Sequence, residues 1–304
     1  MFIRFALCAF LLLPLFALAG EYWHVEPGAN SMKMLSMPTA PRQVALSGAG
    51  IASPRSASET MRNPLAPISA NSLSLSLSKT EFSEYIGASR VSMLAHSMFG
   101  SWHLTAGMES LNFNEMEGYN DDGLTAENSS FAAGTIATQL GIARTFNSLS
   151  AGLTVRYANQ NIEDYNENGI FFDGGVKYDL LKYFSFGAIF SNFGWIKANK
   201  KEVAPLSVQA GITGTCPLVL GFATALSADL YRRNDFGEPE LRSGLEIMYR
   251  NIFSMRFGYP ISSEETNALS AGFAINLGFA DIEYAYQNRT ALKANHIFGI
   301  SLYF

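Results

Sequence analysis

The sequence predicts an all-β protein: a transmembrane antiparallel β-barrel of about 14 strands with an N-terminal plug or hatch segment. Three observations carry this expectation. The 304-residue chain is poor in charge, at 15% Asp, Glu, Lys and Arg, yet beyond its first twenty residues it has no apolar run suited to a spanning helix. From residue 71 onward, apolar and polar residues alternate with period 2 in one run after another. The more uniform face of these runs is Leu, Phe, Tyr and Val, and the scarce charges fall on the other face, as they must when lipid lies on one side and a lumen on the other. A soluble β-sandwich with the same alternation would show charged outer faces.

Residues 1–19 read as a secretory signal peptide: Arg4, an apolar run from Phe5 to Phe16, and a small-residue exit at Ala17-Leu18-Ala19. The run is short for a retained anchor. The exported remainder carries one cysteine, Cys216, so no internal disulfide is expected. A net charge of −5 argues against a nucleic-acid partner.

Residues 20–70 read as the plug or hatch, rich in Met, Pro, Ser, Ala and Gly and weak in period-2 pattern. Val44 to Ser53 suggests a short strand or loop, and Ser56 to Pro67 a helical turn with a Pro-broken exit. The candidate hatch residues are Arg42, Gly48, Gly50, Asn63 and Pro64. Gly48 and Gly50 permit close backbone approach in a crowded lumen. Asn63, preceding Pro64, is biased away from helix and can redirect the chain into the first strand.

The barrel, 71–304, opens with Leu73, Leu75 and Leu77 on one face and serines on the other. Further strands are expected at about 84–95, 97–109, 129–146, 148–163, 169–181, 183–196, 204–215, 217–232, 239–250, 252–261, 267–278, 279–290 and 294–304. With 71–80 they make fourteen, an even number as in closed bacterial barrels. Short links at Asn147-Ser148, Lys182-Tyr183, Asn251-Ile252 and Gly278-Phe279 contrast with longer polar ones at Asn112 to Ser129 and Asp164 to Asn168. That contrast suits periplasmic turns and extracellular loops. The uncharged stretch Val203 to Ala228 is expected to turn at Gly214-Thr215-Cys216-Pro217.

The inner face is expected to collect Arg90, Glu109, Arg156, Asp173, Lys177, Arg242, Glu246, Arg256, Asp281 and Glu283. In hydrocarbon such groups cost roughly several kcal/mol each, whereas a lumen or plug supplies water and counter-ions. Both signs occur, so an ion-paired lattice fixing barrel and plug or a substrate-selecting ring would each fit.

Chemistry beyond this is thin. His24, His96, His103 and His296 lack zinc-ligand spacing, and no Gly-x-Ser-x-Gly or complete dinucleotide fingerprint is present. The expectation is a non-enzymatic protein with no cofactor.

The last strand, Ala294 to Phe304, places His296, Phe298, Ile300, Leu302 and Phe304 on its apolar face. It resembles the closing strand of bacterial outer-membrane barrels. That resemblance implies integral residence in outer-membrane lipid and, for Phe304, a part in the signal read by the barrel assembly machinery. The segment Pro41 to Ala66 resembles the leading segment of the PorV/PorQ family, within the FadL-like barrels: Arg42, Gly48, Gly50, Ser56-Ala57-Ser58 and Asn63-Pro64-Leu65-Ala66 stand in the family's places. Ser58 stands where an acidic residue is more common, and Leu65-Ala66 replaces the usual Ala-Gly. Gly187 to Gly194 is similar to a family strand ending in Asn-x-Gly. The resemblance implies a non-enzymatic role in type IX-like protein secretion or surface attachment, with secretion-system subunits or exported cargo as partners. The alternative it implies is FadL-like transport of hydrophobic small molecules past an N-terminal hatch and a kinked wall. The polar inner face favours the first reading.

Overall fold

The computed structural model describes residues 25, 30–65, 73–82, 87–114, 116–119, 125–163, 165–197, 203–217, 219–235, 238–261, 269–288 and 294–304. Its strands are β1 (Leu73–Glu81), β2 (Ala88–Phe99), β3 (Trp102–Phe113), β4 (Met116–Tyr119), β5 (Thr125–Phe131), β6 (Ala133–Phe146), β7 (Leu149–Ile162) and β8 (Tyr165–Leu181), then β9 (Phe184–Lys197), β10 (Ser207–Pro217), β11 (Phe222–Arg233), β12 (Glu240–Tyr249), β13 (Phe253–Ile261), β14 (Ser270–Asn276), β15 (Ala280–Gln287) and β16 (Asn295–Tyr303). Fourteen of them close an antiparallel barrel in the order β1-β2-β3-β6 and onward to β16, while β4 and β5 form a separate hairpin. The seam pairs β1 with β16 from Ser74↔Tyr303 to Glu81↔His296. Closure matters because an open edge would leave backbone groups unpaired in hydrocarbon. Among the described residues no helix is long and apolar enough to cross a membrane.

The alternation sets the two faces. Along β1 every leucine is exposed and Ser74, Ser76, Ser78 and Thr80 are buried inside. Leu153, Val155 and Tyr157 on β7, and Met255, Phe257 and Tyr259 on β13, face outward and stay exposed. An apolar belt of this extent is a lipid-facing surface.

Several links depart from expectation. Within the expected polar loop, Tyr165 to Asn168 belongs to a strand: β7 and β8 pair out to Ile162↔Tyr165. Asn159 donates diagonally to Asn166 Oδ1 at 3.2 Å, and Asn166 donates to Asn161, its partner across the rung. Strands that run past a membrane belt meet water on both faces, so polar residues there extend the ladder up to the reversal after Ile162. The link Asn112 to Ser129 holds the β4–β5 hairpin, and the expected strand 129–146 is divided between β5 and β6. Gly214 to Pro217 lies within β10, and the reversal comes at Val219–Gly221, where Leu220 and Gly221 take φ of 67° and 85°. Pro217 is tolerated because it ends its strand.

A β-bulge interrupts the β8–β9 ladder. Phe172 pairs with Phe193 and Gly174 with Phe190, so Asp173 faces both Ser191 and Asn192. Asn192 takes a left-handed φ of 63°, a conformation that Asn tolerates better than other side chains.

Residues 30–65 lie within the barrel. They form a 3-10 turn at Lys33–Ser36, a short helix α1 (Pro41–Ala45) and a second 3-10 turn at Ala57–Met61. Wall glycines on five strands admit them: Gly107 faces Met61, Gly152 Pro64, Gly187 Ala52, Gly258 the Leu46 and Ser47 backbone, and Gly299 Pro41. Contacts on β3, β7, β9, β13 and β16 place this segment at the centre of the ring. The expected signal peptide, 1–19, and residues 20–24, 26–29 and 66–70 of the expected hatch fall outside the described residues.

Candidate functional site in the barrel lumen

Residues 30–65, the expected hatch, are built on local geometry that aims charges at the wall. Ser56-Ala57-Ser58-Glu59 forms a capping box, in which Glu59 Oε1 accepts from the backbone N–H groups of Ser56 at 2.9 Å and Arg55 at 2.7 Å. With one oxygen so held, Oε2 accepts from Arg42 of α1 at 3.0 Å. Arg42 spans the gap, donating its other edge to Glu246 on β12 at 3.0 and 3.3 Å. Glu246 also accepts from Arg256 at 2.7 Å and pairs with Arg55 at 3.1 Å, and Arg256 donates on to Glu283 at 2.5 Å. The cluster therefore holds three guanidiniums and three carboxylates, joined by five ion pairs. Five of the six side chains are almost wholly buried; Arg55 is 36% exposed. Burial opposes the charge on Arg42, but the Glu246 and Glu59 carboxylates outweigh it and raise its pKa. For Arg55 burial prevails over the attraction of Glu246, and its pKa falls.

Two more anchors repeat the principle. Arg62 donates to both oxygens of Glu109, at 2.7 and 2.8 Å, and spends its remaining donors on the Met34, Met37 and Met61 carbonyls. Arg156 donates to Asp173 at 2.7 Å, to the Met61 carbonyl at 2.7 Å and to Asn192 Oδ1 at 2.9 Å. Asn192 sits at the bulge and binds four ways: its N–H donates to Asp173, and its amide also reaches the Leu35 and Pro205 carbonyls.

The other expected residues divide between hatch contacts and local pairs. Arg90 donates to the Pro38 and Met37 carbonyls. Gly48 and Gly50 have φ of 82° and 91°; the Gly48 carbonyl accepts from Gln209, and the Gly50 and Ile51 N–H groups donate to Asp229. Asn63 ties Ile51 to Leu65, while Pro64 packs on Gly152. Lys177 pairs with Asp179 at 3.1 Å, and Arg242 bonds Glu240 at 2.5 Å and stacks 3.5 Å over Tyr231. Asp281 accepts from Tyr303 and Asn276, each at 2.6 Å. These last three face inward but form no ion pair with the hatch. Phe304 is 66% exposed at the end of the seam and donates its N–H to the Leu73 carbonyl.

His96 and His103 do meet, Nε2 to Nδ1 at 3.1 Å, with Ser74 at 3.4 Å from His96. Among the described residues no three His, Cys, Asp or Glu side chains converge as metal ligands.

The lumen is not polar throughout. At the end carrying the longer links, Met32, Met34 and Leu35 of the hatch pack on Ala88, Leu111, Ala137, Ala158 and Phe171, flanked by Phe82, Phe113, Ile196 and Ala204. The polar inner face expected from the strands fails here because five strands contribute one apolar residue each. Below this stopper, the cavity left between hatch and wall is about 50 Å³, room for roughly one or two waters.

No protein-family model matches the chain, and no curated protein matches it. Solved structures do. The toluene transporter TbuX of Ralstonia pickettii superposes with a TM-score of 0.64 at 13% identity, over 88% of this chain and 98% of the other. The monoaromatic hydrocarbon channel CymD gives 0.60 at 13% over 88% and 98%, and the toluene transporter TodX of Pseudomonas putida 0.55 at 12% over 93% and 100%. At these identities the likeness concerns the fold alone, a closed antiparallel barrel that has fourteen strands in this chain.

Proposed function

We propose that this protein is an outer-membrane channel for small hydrophobic molecules, with residues 30–65 as its hatch. The observation that carries the reading is the apolar mouth. Phe171, Leu111, Phe82, Phe113 and Ile196 make a greasy collar that Met32, Met34 and Leu35 now fill. A route for ions or sugars gains nothing from such a collar. A hydrocarbon gains about 25 cal/mol for each Å² of its surface removed from water there. The fold shared with a toluene transporter and a monoaromatic hydrocarbon channel supports this class of solute.

The hydrophobic-transport alternative thus displaces the secretion reading, which rests on the Pro41 to Ala66 and Gly187 to Gly194 resemblances and on the expected polar inner face. Neither the comparisons nor the geometry adds support to a PorV/PorQ role. Residence in the outer membrane, the barrel-assembly contact through Phe304 and export by residues 1–19 belong to this proposal.

The test compares accumulation of a labelled monoaromatic and a long-chain hydrocarbon in cells with and without the gene. Uptake is expected to drop in the deletion strain and to return with the wild-type gene, but not with Met32→Asp/Met34→Asp. Unchanged uptake, with surface proteins lost from the deletion strain, would reject the channel and restore the secretion reading.

A further inference from the structure

The turns at the short-link end carry a charge pattern that the lumen does not explain. The reversals at 99–102, 146–149, 181–184, 217–222, 249–253 and 276–280 contain no acidic residue. Outward cations stand beside them at Arg144, Lys182 and Arg250. The acidic side chains nearest these turns in sequence, Asp179 and Asp281, are paired with Lys177 and Tyr303.

Each cation lies on an aromatic ring. The Arg144 guanidinium is 4.7 Å from the Trp102 ring and 4.4 Å from the Phe146 ring, and its Nε donates to Ser101 at 3.1 Å. Its two terminal amino groups have no protein partner among the described residues. Lys182 lies 5.5 Å over Tyr183, and Arg250 lies 5.3 Å over Tyr249 with its stem across Gly221. Stacking holds the cations flat against the wall at the depth of the aromatic belt, where a bilayer changes from acyl chain to headgroup. Beside them Phe99 and Leu220 are 80% and 81% exposed, apolar tips with no protein to cover them.

We infer that this rim seats anionic phospholipid headgroups, with Arg144 between Trp102 and Phe146 as its best-formed site. The occupant follows from complementarity: a phosphate accepts from the free guanidinium edge while the acyl chains run up the apolar wall beside Trp102 and Phe146. A zwitterionic lipid offers the same chains without the net charge. A free phosphate offers the charge without the chains. The inference rests on the membrane reading of the barrel, with the short links on the phospholipid side, but not on what the channel carries.

Full-length protein in mild detergent, given equal phosphatidylglycerol and phosphatidylcholine, tests it by native mass spectrometry of retained lipid. Wild type is expected to retain phosphatidylglycerol selectively. Arg144→Gln should reduce that retention about fivefold, and the triple variant with Lys182→Gln and Arg250→Gln on the order of 100-fold, from the usual gain per juxtamembrane cation. Lys79→Gln, an outward cation at the opposite end, should change nothing. Heat-modifiable mobility confirms that each variant is folded, and Arg144→Gln alone decides the matter if the triple variant is not. Equal retention of both lipids, undiminished retention in Arg144→Gln, an equal loss in Lys79→Gln, or full competition by inorganic phosphate would each overturn the inference. A wild-type chain that fails to insert would refute the membrane reading and this one together, whereas a failure of hydrocarbon uptake leaves this result standing.

Discussion

Glu246→Gln isolates how the hatch is held. Glu246 is the wall carboxylate that meets Arg42 and Arg55 from the hatch and Arg256 from the neighbouring strand. The cluster balances at three cations and three anions, so losing this charge leaves three against two in a site almost closed to water. Breaking a buried pair by removing one partner costs about 3–5 kcal/mol, because the remaining charge keeps its desolvation penalty without its compensation. Two of the three broken contacts join hatch to wall, so most of the cost falls on docking. If all of it does, the docked population falls on the order of 10²- to 10⁴-fold relative to the undocked. Hydrogen exchange of the amides in 40–65, measured on protein whose heat-modifiable mobility shows an intact barrel, reads that change. The double variant Arg42→Met/Glu246→Gln returns the count to two and two and should recover part of the protection despite removing one more polar contact. Exchange in Glu246→Gln within about threefold of wild type, or a double variant worse than the single one, would refute the charge-balance reasoning.

Other perturbations separate packing, backbone and assembly. Gly258→Ala drives a Cβ into the Leu46 and Ser47 backbone and should loosen 44–50 by about 1–3 kcal/mol of overpacking; Gly278→Ala, at a left-handed turn position with nothing within 4 Å, should leave hatch exchange unchanged. Asn192→Gly keeps the bulge conformation and loses the amide bonds. Asn192→Val loses both, so in urea titrations of micellar protein it should be less stable than Asn192→Gly by about 1–2 kcal/mol. Deleting Phe304 should slow appearance of folded barrel in cells while shifting the unfolding midpoint of refolded protein little, since an exposed ring and one N–H to Leu73 contribute about 1 kcal/mol.

What could be read before the structure was whatever depends on parity. Arg156, Asp173, Glu246, Arg256 and Glu283 alternate with apolar neighbours, and parity alone sends them inward. Their partners are another matter. Arg42 and Glu246 lie 204 residues apart, and nothing local in either stretch names the other. Glu59 did carry a signal, the Ser-x-x-Glu of a capping box, one residue beyond the position where Ser58 stands for the family's usual acid. Asn192 sat within the Asn-x-Gly motif, but its four contacts arise only once the bulge turns it inward. The apolar collar was hidden because Ala88, Leu111, Ala137, Ala158 and Phe171 are each an unremarkable inward residue of a separate strand. Link lengths misled where Asn159, Asn161 and Asn166 form polar rungs beyond the belt.

The division between collar and charge clusters dictates how such a hatch can open. A hydrocarbon arriving at the long-link end meets Met32, Met34 and Leu35, whose packing against the collar is apolar on both sides. Replacing those side chains with solute exchanges one dry contact for another and is nearly neutral, and methionine, with its flexible unbranched chain, repacks at little cost. Undocking the whole hatch would instead break Arg42–Glu246, Arg55–Glu246, Arg62–Glu109 and the hydrogen bond of Arg156 to Met61. A neutral solute makes no interaction that could offset this, and a ligand shifts an equilibrium only by its differential affinity for the two states. Opening should therefore be confined to the 30–35 stretch while 42–63 stays docked. Saturating the purified channel with a monoaromatic hydrocarbon should raise amide exchange at 31–35 and leave that at 42–63 within error. Faster exchange across the entire segment would mean that the ion pairs yield with the stopper, and that the hatch moves as one body.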